Sequence, residues 1–513
     1  MLLTSALIAT LGCSESREAA PVTRPSFDSV FPALTGDLMS ISSPRVVDLN
    51  GDAASEIVFG IGVPRVQPRN GVFVFTNTPD PPGFVQVVDG TTNRVLWKAP
   101  HTGDAFTTPQ FAKLNNDDVL DVIMGGREAA LSAFSGTDGA LLWRVDPQKV
   151  ARTPVPYNFF TPAVVRDVNG DGVADLVVAY GGDDTRLPSA ARDAGHLVVV
   201  SGIDGKILAS HRTPDGKETY SAVVVYERPD GQDWVIFGTG GETHGGAAYR
   251  VPVSALLDGT FAQRCELLIA PSATKGVLAP ATLLELNGDD ELDIVISTFD
   301  GRLAAVNGAN ARLLWQQHQA DEESYHSAAV ARVAPDSRPG LMISRGIGSF
   351  PRYTGSVHRL HDAADGRVLY EYRNTSSPGG APLAVDLNGD DIDEPFFFSV
   401  KFPNGVGARI HVLQAATRML ITYDLPTNYW TTPVIADARG KGSLELIGLS
   451  WLQDADTIPE WTGVQWHLLR LDLNAKPPET MTWSAYMGTH SDGHYRPRWV
   501  GGTPNGSSQR RRR

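Results

Sequence analysis

The sequence is poor in cysteine, in long apolar runs and in basic charge, and each shortage removes a class of protein. Two cysteines, Cys13 and Cys265, cannot build a disulfide framework. Cys265 lies in the apolar stretch AQRCELL with no histidine partner pattern, so it reads as a buried or half-buried thiol rather than a nucleophile. No stretch approaches ~18 uninterrupted apolar residues, so no transmembrane helix is expected. Lys and Arg total 44 against 58 Asp and Glu, a net charge of −14. That balance argues against nucleic-acid binding, which needs cations to neutralise phosphates. The G-x-S-x-G, H-E-x-x-H and P-loop motifs are also missing. What abounds is punctuation: 51 Gly and 35 Pro, beside 19 Phe, 13 Tyr and 10 Trp, imply short strands and tight loops.

One phrase recurs along the chain: a short apolar strand, an Asp/Asn/Gly loop, and a second apolar strand. It reads PRVVDLNGDAASEIVFGIG from Pro44, PQFAKLNNDDVLDVIMGG from Pro109 and PAVVRDVNGDGVADLVVAYGG from Pro162. It returns as PATLLELNGDDELDIVIST from Pro280 and PLAVDLNGDDIDEPFFFSV from Pro382, with a worn copy, PVIADARGKGSLELIGLS, from Pro433. Two copies, from Ser221 and Ser327, keep the strands and lose the loop. The eight copies lie roughly 45–65 residues apart, the spacing of one four-stranded blade each. A second phrase places a D-G turn before an apolar pair and an aromatic, as in FSGTDGALLW. Trp97, Trp143, Trp315 and Tyr370 end such phrases, and PPETMTW places Trp483 as their counterpart in the last unit. Their shared phase argues for docking between blades rather than a ligand-stacking array.

These units predict an all-β fold, a β-propeller of eight four-stranded blades, with seven blades as the runner-up. Paired helices fail because LVVAY, HLVVV and DIVIS are short β-branched runs bounded by turn residues. The expected division is a signal segment over 1–13, a linker and possible closing strand over 14–42, the propeller over 43–487 and a tail over 488–513.

The loop spacing has a chemical meaning. Ca²⁺ takes six to eight oxygens, and a tight loop can offer carboxylate or amide oxygens at positions 1, 3, 5 and 9 and a carbonyl near 7. The third repeat is the most complete: Asp167, Asn169, Asp171, the Val173 carbonyl and Asp175. The first offers Asp48, Asn50, Asp52 and Glu56; the fifth Glu285, Asn287, Asp289 and Asp293; the seventh Asp386, Asn388, Asp390 and Glu394. The second has Lys113 at position 1, before Asn115, Asp117 and Asp121, and the eighth has Asp437, Arg439, Lys441 and Glu445, so a side-chain cation can stand where a metal would. About four Ca²⁺ sites are therefore expected. A single such loop is no more than an Asx-rich turn; four in register between strands point to metal. The EF-hand alternative needs flanking helices and a Glu at position 12.

RDVNGDGVADLVVAYGG and its sister copies resemble FG-GAP/VCBS repeats, the family of the integrin α-subunit propeller, and the DGALLW phrases are similar to quinoprotein (PQQ-like) propeller repeats. The resemblance implies a propeller with Ca²⁺ in the loops between first and second strands. It implies little about activity, since a fold hosts many functions.

The opening MLLTSALIATLGCSES reads as a secretory signal and resembles a bacterial lipoprotein signal, with Cys13 as the lipidated residue. The expectation is an exported outer-membrane or cell-surface lipoprotein, otherwise a secreted or periplasmic protein, touching membrane only through that anchor. GTGGETHGGAAYR holds Glu242 and His244, and GTHSDGHYRPRW holds His490, Asp492 and His494; both read first as loop tips. The tail GGTPNGSSQRRRR is expected to be disordered. The function expected is a monomeric module that binds a protein or polysaccharide and not nucleic acid, with no catalytic or cofactor-binding residues assigned. The alternative is a secreted carbohydrate-active enzyme of the polysaccharide-lyase kind.

Overall fold

The computed structural model describes residues 26–29, 40–62, 66–69, 72–75, 83–150, 157–183, 186, 189–334, 339–401, 407–427, 431–452 and 465–496. Cys13, the opening expected to be a signal (residues 1–13) and the arginine-rich end lie outside these residues.

Eight antiparallel sheets follow one another in sequence order, so the propeller has eight blades and not seven. Each blade runs from an inner strand A to an outer strand D. In blade 3 these are Ala163–Val165, Asp175–Gly181, His196–Val200 and Ile207–Arg212, with a short extra pairing from Asn158–Phe159. The burial of the strands follows from this layering. Strand B of blade 1, Glu56–Ile61, is buried at every position because neighbouring blades cover both of its faces. Strand D, Val95–His101, alternates between exposed and buried because only one of its faces meets a neighbour. The core is accordingly a ring of seams. One apolar cluster joins Ile123 and Leu131 of blade 2 to Leu176 and Val198 of blade 3, and another joins Phe396 and Val412 of blade 7 to Leu446 and Leu471 of blade 8.

The ring is closed by the two ends of the chain. Strand D of blade 8 is Ser26–Ser29, antiparallel to Gln465–Asp472, with Ser26 opposite Asp472 and Ser29 opposite Leu469. This corrects the expectation for Trp483, which does not occupy strand D of the last unit. After Asp472 the chain turns into the central channel and pairs with the free edges of the inner strands. Ala384 and Trp483 exchange two backbone hydrogen bonds of 2.9 Å; Ile435 N–H donates to Ser484 O at 2.8 Å and Leu283 N–H to Gly493 O at 2.7 Å. His494 Nε2 lies 2.9 Å from Val225 O. Trp483 is wholly buried there, against Leu284, Ala384 and Leu413. The segment satisfies edge amides that would otherwise line the channel unpaired.

The blades are also hooked together, and the hook sits beside the acidic loops. Trp97 of blade 1 donates its indole N–H to Gly136 O of blade 2 at 2.8 Å, and Trp143 of blade 2 donates to Gly202 O of blade 3 at 2.6 Å. Trp315 does the same to Ala363 O of blade 6 at 3.0 Å. In blades 4 and 8, whose strands D carry no tryptophan, a buried arginine on strand C takes over. Arg250 reaches Gly308 O of blade 5, and Arg470 reaches Gly90 O of blade 1 at 2.6 Å, tying the last blade to the first. The glycines are obligatory: a Cβ on Gly202 would lie 1.8 Å from Ala174 O, and one on Gly205 would lie 2.7 Å from the Trp143 ring.

Trp143→Ala should lower stability by about 3–5 kcal/mol, the cost of deleting a large buried ring, whereas Trp143→Phe should lose chiefly the indole hydrogen bond, about 1 kcal/mol. Gly202→Ala should be worse than Trp143→Phe. Urea unfolding followed by circular dichroism reads all three.

Candidate functional site

The acidic loops join strands A and B at the end of each blade that also carries the C–D turns. In the third loop Asp167 accepts backbone N–H bonds from Gly170 at 2.6 Å and Gly172 at 2.8 Å, Asn169 Oδ1 accepts from Asp171 at 2.9 Å, and Asp171 Oδ1 from Val173 at 2.9 Å. Asp48 caps Gly51 at 2.7 Å and Ala53 at 3.0 Å, and Asp386 caps Gly389 at 2.7 Å and Asp391 at 3.0 Å. Glu285 caps Gly288, the corresponding contact. The turn requires positive φ at position 4, a glycine in all four loops, with Gly170 at +82°. Position 6 is left-handed as well: Gly172 fills it in the third loop, but Ala53, Asp290 and Asp391 hold φ of 69°, 63° and 68° in the others. Side-chain-bearing residues persist in that region only where their surroundings impose it.

The carboxylate at position 9 lies deeper than the rest. It accepts the N–H of position 2 in five loops, through Glu56, Asp121, Asp175, Asp293 and Glu394, at 2.8–3.0 Å. In three of them its second oxygen accepts the N–H of the hook glycine: Asp121 from Gly136 at 3.2 Å, Asp175 from Gly202 at 3.0 Å, and Asp293 from Gly308 at 3.0 Å. Burial raises the pKa of this carboxyl and the other acids of the loop add to the rise. Asp293 is pushed up to about 6, with Asp289 and Glu285 adding, and Glu394 to about 8, with Asp390, Asp386 and Asp393 adding. Glu56 and Asp175 move in the same direction for the same causes.

The hard-oxygen donor set of the loops fits Ca²⁺. As the side chains stand, among the described residues no three acidic or imidazole groups converge as a metal centre would. The amide of position 3 donates to one acid of its loop instead: Asn50 Nδ2 lies 3.0 Å from Asp52, Asn169 Nδ2 2.9 Å from Asp171, Asn287 Nδ2 3.0 Å from Asp293, and Asn388 Nδ2 3.0 Å from Glu394. The degenerate loops differ from one another. In the eighth, Asp437 still caps Gly442 at 2.6 Å, and Glu445 is gripped by Arg439 at 3.4 Å and by Arg470. In the second, Lys113 turns outward to Asp118 at 3.2 Å, half-exposed.

Cys265 is a half-buried free thiol, pushed up to about 12 by burial, which makes it a poor nucleophile. His490, Asp492 and His494 do not form one centre. Asp492 pairs with Arg496, and His494 packs into the channel against Val225. Glu242 and His244 stand at the other end of the blades, where His244 Nδ1 lies 3.4 Å from Glu218 Oε1. Sequence reading missed Glu218, Arg192, Lys275, Glu323 and Tyr325 around them. A signal was present, because several connections into strand A carry an aromatic just before Ser/Thr, as in Phe106, Phe160 and Tyr220.

Residues 45–259, spanning three blades and most of the fourth, match the family model for the FAM234A/B beta-propeller. The structure is similar to quinohemoprotein alcohol dehydrogenase from Comamonas testosteroni, with a TM-score of 0.54 and 11% identity over 86% of this chain and 77% of that one. A second quinohemoprotein alcohol dehydrogenase, from Pseudomonas putida HK5, gives a TM-score of 0.52 and 12% identity over 88% of this chain and 76% of the other. A europium-containing methanol dehydrogenase gives 0.51 and 11% over 80% and 92%. At such identities the likeness is one of fold alone. No curated protein sequence matches the chain. Together these comparisons define the class, a β-propeller module.

The raised acids fix the sign of a pH effect. In chelator, Asp293 and Glu394 hold protons in the folded state over a window where the unfolded chain has released them, from the ordinary carboxyl range up to about 6 and about 8. Their contribution to stability is complete below the unfolded pKa and is lost as pH rises through the folded one. Removing both, as Asp293→Asn with Glu394→Gln, should flatten the fall in thermal midpoint between about pH 5 and about pH 8; an unchanged profile would refute the assignment.

Proposed function

We propose that this chain is an exported, Ca²⁺-stabilised β-propeller that acts as a monomeric interaction module for a protein or polysaccharide. The observation that carries the metal part is the repetition of one loop geometry. Four loops share a capped carboxylate at position 1, left-handed residues at positions 4 and 6, and a buried carboxylate at position 9 under like-charge stress. A cation would relieve that stress. Asp48, Asn50, Asp52 and Glu56 would hold it in the first loop, and Asp167, Asn169, Asp171, Val173 and Asp175 in the third. The fifth would use Glu285, Asn287, Asp289 and Asp293, and the seventh Asp386, Asn388, Asp390 and Glu394. Turning each asparagine so that its oxygen replaces Nδ2 would supply the ligand at position 3, at the cost of the backbone N–H bond that Asn50, Asn169 and Asn388 now accept. The eighth loop supports the reading from the other side, since Arg439 and Arg470 sit on Glu445 where a metal charge would.

The binding part rests on the channel. The chain's own segment from 473 to 496 fills the inner-strand edges on the side of the acidic loops, which leaves recognition to the outer faces and the opposite mouth. Export rests on the signal-like opening and Cys13, which would tether the propeller to a membrane through lipid.

Ca²⁺ should raise the thermal midpoint relative to chelator, since one site at a hundredfold excess over its Kd contributes about 2.7 kcal/mol. Asp171→Ala should lower Ca²⁺ stoichiometry by one and leave the fold intact; an unchanged midpoint or stoichiometry would contradict the assignment. A pull-down from envelope extract in Ca²⁺ buffer tests the module reading. Retention of a protein or polysaccharide supports it, and turnover of a retained polysaccharide would favour the enzyme alternative.

A further inference from the structure

The end of the propeller opposite the acidic loops carries a charged and aromatic cluster at the channel mouth. Five connections build it. Arg192 comes from the B–C loop of blade 3 and Glu242 from that of blade 4, while Glu218 with Tyr220, Lys275, and Glu323 with Tyr325 come from the connections into strands A of blades 4, 5 and 6. None of these connections is adjacent to another in sequence, yet the side chains meet.

Two of the three carboxylates already have a cation. Arg192 Nε lies 3.2 Å from Glu218 Oε2, with both side chains more than nine-tenths buried. Lys275 Nζ lies 2.7 Å from Glu323 Oε1, and Glu323 also accepts from Phe350 N–H at 2.8 Å and the Tyr353 hydroxyl at 2.9 Å. Glu242 stands half-buried between these pairs, within electrostatic reach of Arg192, Lys275 and Glu323, and no ion pair or hydrogen bond from another side chain reaches it among the described residues. His244 is held below its ordinary pKa by burial and adds no positive charge near neutrality. Burial raises the pKa of Glu242, with Glu323 adding, and pushes Glu218 up to about 7; of the three carboxyls Glu242 is the one with no cation in contact with it.

A second observation points to the same place. Glu218 is 3% exposed, and its Oε2, though in ion contact with Arg192, has no aligned hydrogen-bond donor, which leaves acceptor capacity buried beside Glu242. Aromatic rings flank both. Tyr220 packs edge-on against Phe160 at 5.9 Å, and Tyr325 against Phe299 at 4.8 Å. An enclosed carboxylate without a cation is costly. An N–H-bearing cation would pair with Glu242 and supply the aligned donor that Glu218 Oε2 lacks, and aromatic surroundings favour organic cations. A metal ion would need six or more oxygens where Arg192 and Lys275 already stand, and an anion would meet excess negative charge.

We propose that this cluster binds the ammonium group of a small organic cation, an amino sugar or a polyamine, with Glu242 as its ion-pair partner, Glu218 as a second acceptor, and Tyr220 and Tyr325 as aromatic walls. The assignment rests on reading the propeller as an interaction module, and not on the Ca²⁺ loops at the other end.

Calorimetric titration of the full chain in Ca²⁺ buffer tests it, with glucosamine, spermidine and N-acetylglucosamine as probes. At least one of the two ammonium probes should bind, and N-acetylglucosamine should bind at least about tenfold more weakly. Preference for glucosamine identifies an amino sugar, and preference for spermidine a polyamine. Glu242→Gln should weaken the preferred probe about tenfold or more while thermal unfolding and Ca²⁺ stoichiometry stay as in the parent; should that variant misfold, Glu218→Gln takes its place with the same expectation. Absence of binding by both ammonium probes, equal affinity for N-acetylglucosamine, or undiminished affinity in a folded variant would overturn the proposal. A protein or polysaccharide still retained from envelope extract by Glu242→Gln would then leave the module reading standing without it.

Discussion

The glycine following strand C is held from two directions, through its N–H and through its carbonyl, and the rest of the propeller is arranged around that grip. In blade 3 the Gly202 N–H donates to Asp175 of its own acidic loop, and its carbonyl accepts from Trp143 of the preceding blade. Gly136 and Gly308 repeat the arrangement, with Trp97 and Arg250 as the hooks. The acidic loop and the seam between blades are thus one device. A buried carboxylate holds the glycine's N–H, and the carbonyl of the same residue receives the neighbouring blade. Each hydrogen bond alone is worth about 1 kcal/mol, but a charged acceptor and a buried ring make this junction expensive to open. Blade 1 departs from the pattern, since Gly90 N–H donates to Ser55 O rather than to Glu56.

The same device explains why loops can lose their acids without losing the ring. Blade 8 keeps its turn with Asp437 and holds Glu445 with two arginines, one of which, Arg470, also hooks blade 1. A side-chain cation thereby serves a neutral junction where the four intact loops keep uncompensated charge. Burial of position 9, with the neighbouring acids adding to its effect, is why Glu394 and Asp293 depart so far from ordinary carboxyl behaviour.

Most of the fold was legible because a blade is a local object. Strand, Asp-Gly loop and β-branched strand lie within some twenty residues, and repetition in register counted the blades. The docking of Trp97, Trp143 and Trp315 was legible from phase alone. What escaped was non-local. Trp483 carries the same aromatic signature but lies in the channel, because strand D of blade 8 comes from Ser26–Ser29 at the far end of the chain. No periodicity marks residues 473–496 as a channel-filling segment, since its partners are the edges of four different blades. The channel-mouth cluster was visible only as Glu242 and His244. Its other members converge from separate connections, and no spacing rule links Arg192 to Lys275. For the acidic loops the residue types and their positions were legible, whereas the turned asparagine amides and the grip on Gly202 required coordinates.

Hydrogen exchange measured on peptides spanning Gly136, Gly202 and Gly308 tests the central claim most directly. These glycines lie outside the strands, so turn-like exposure would make their amides exchange fast. The double grip predicts protection comparable to that of the buried strands B, lost at Gly202 when Asp175 is replaced by Ala. Fast exchange of all three amides in the intact protein would contradict it.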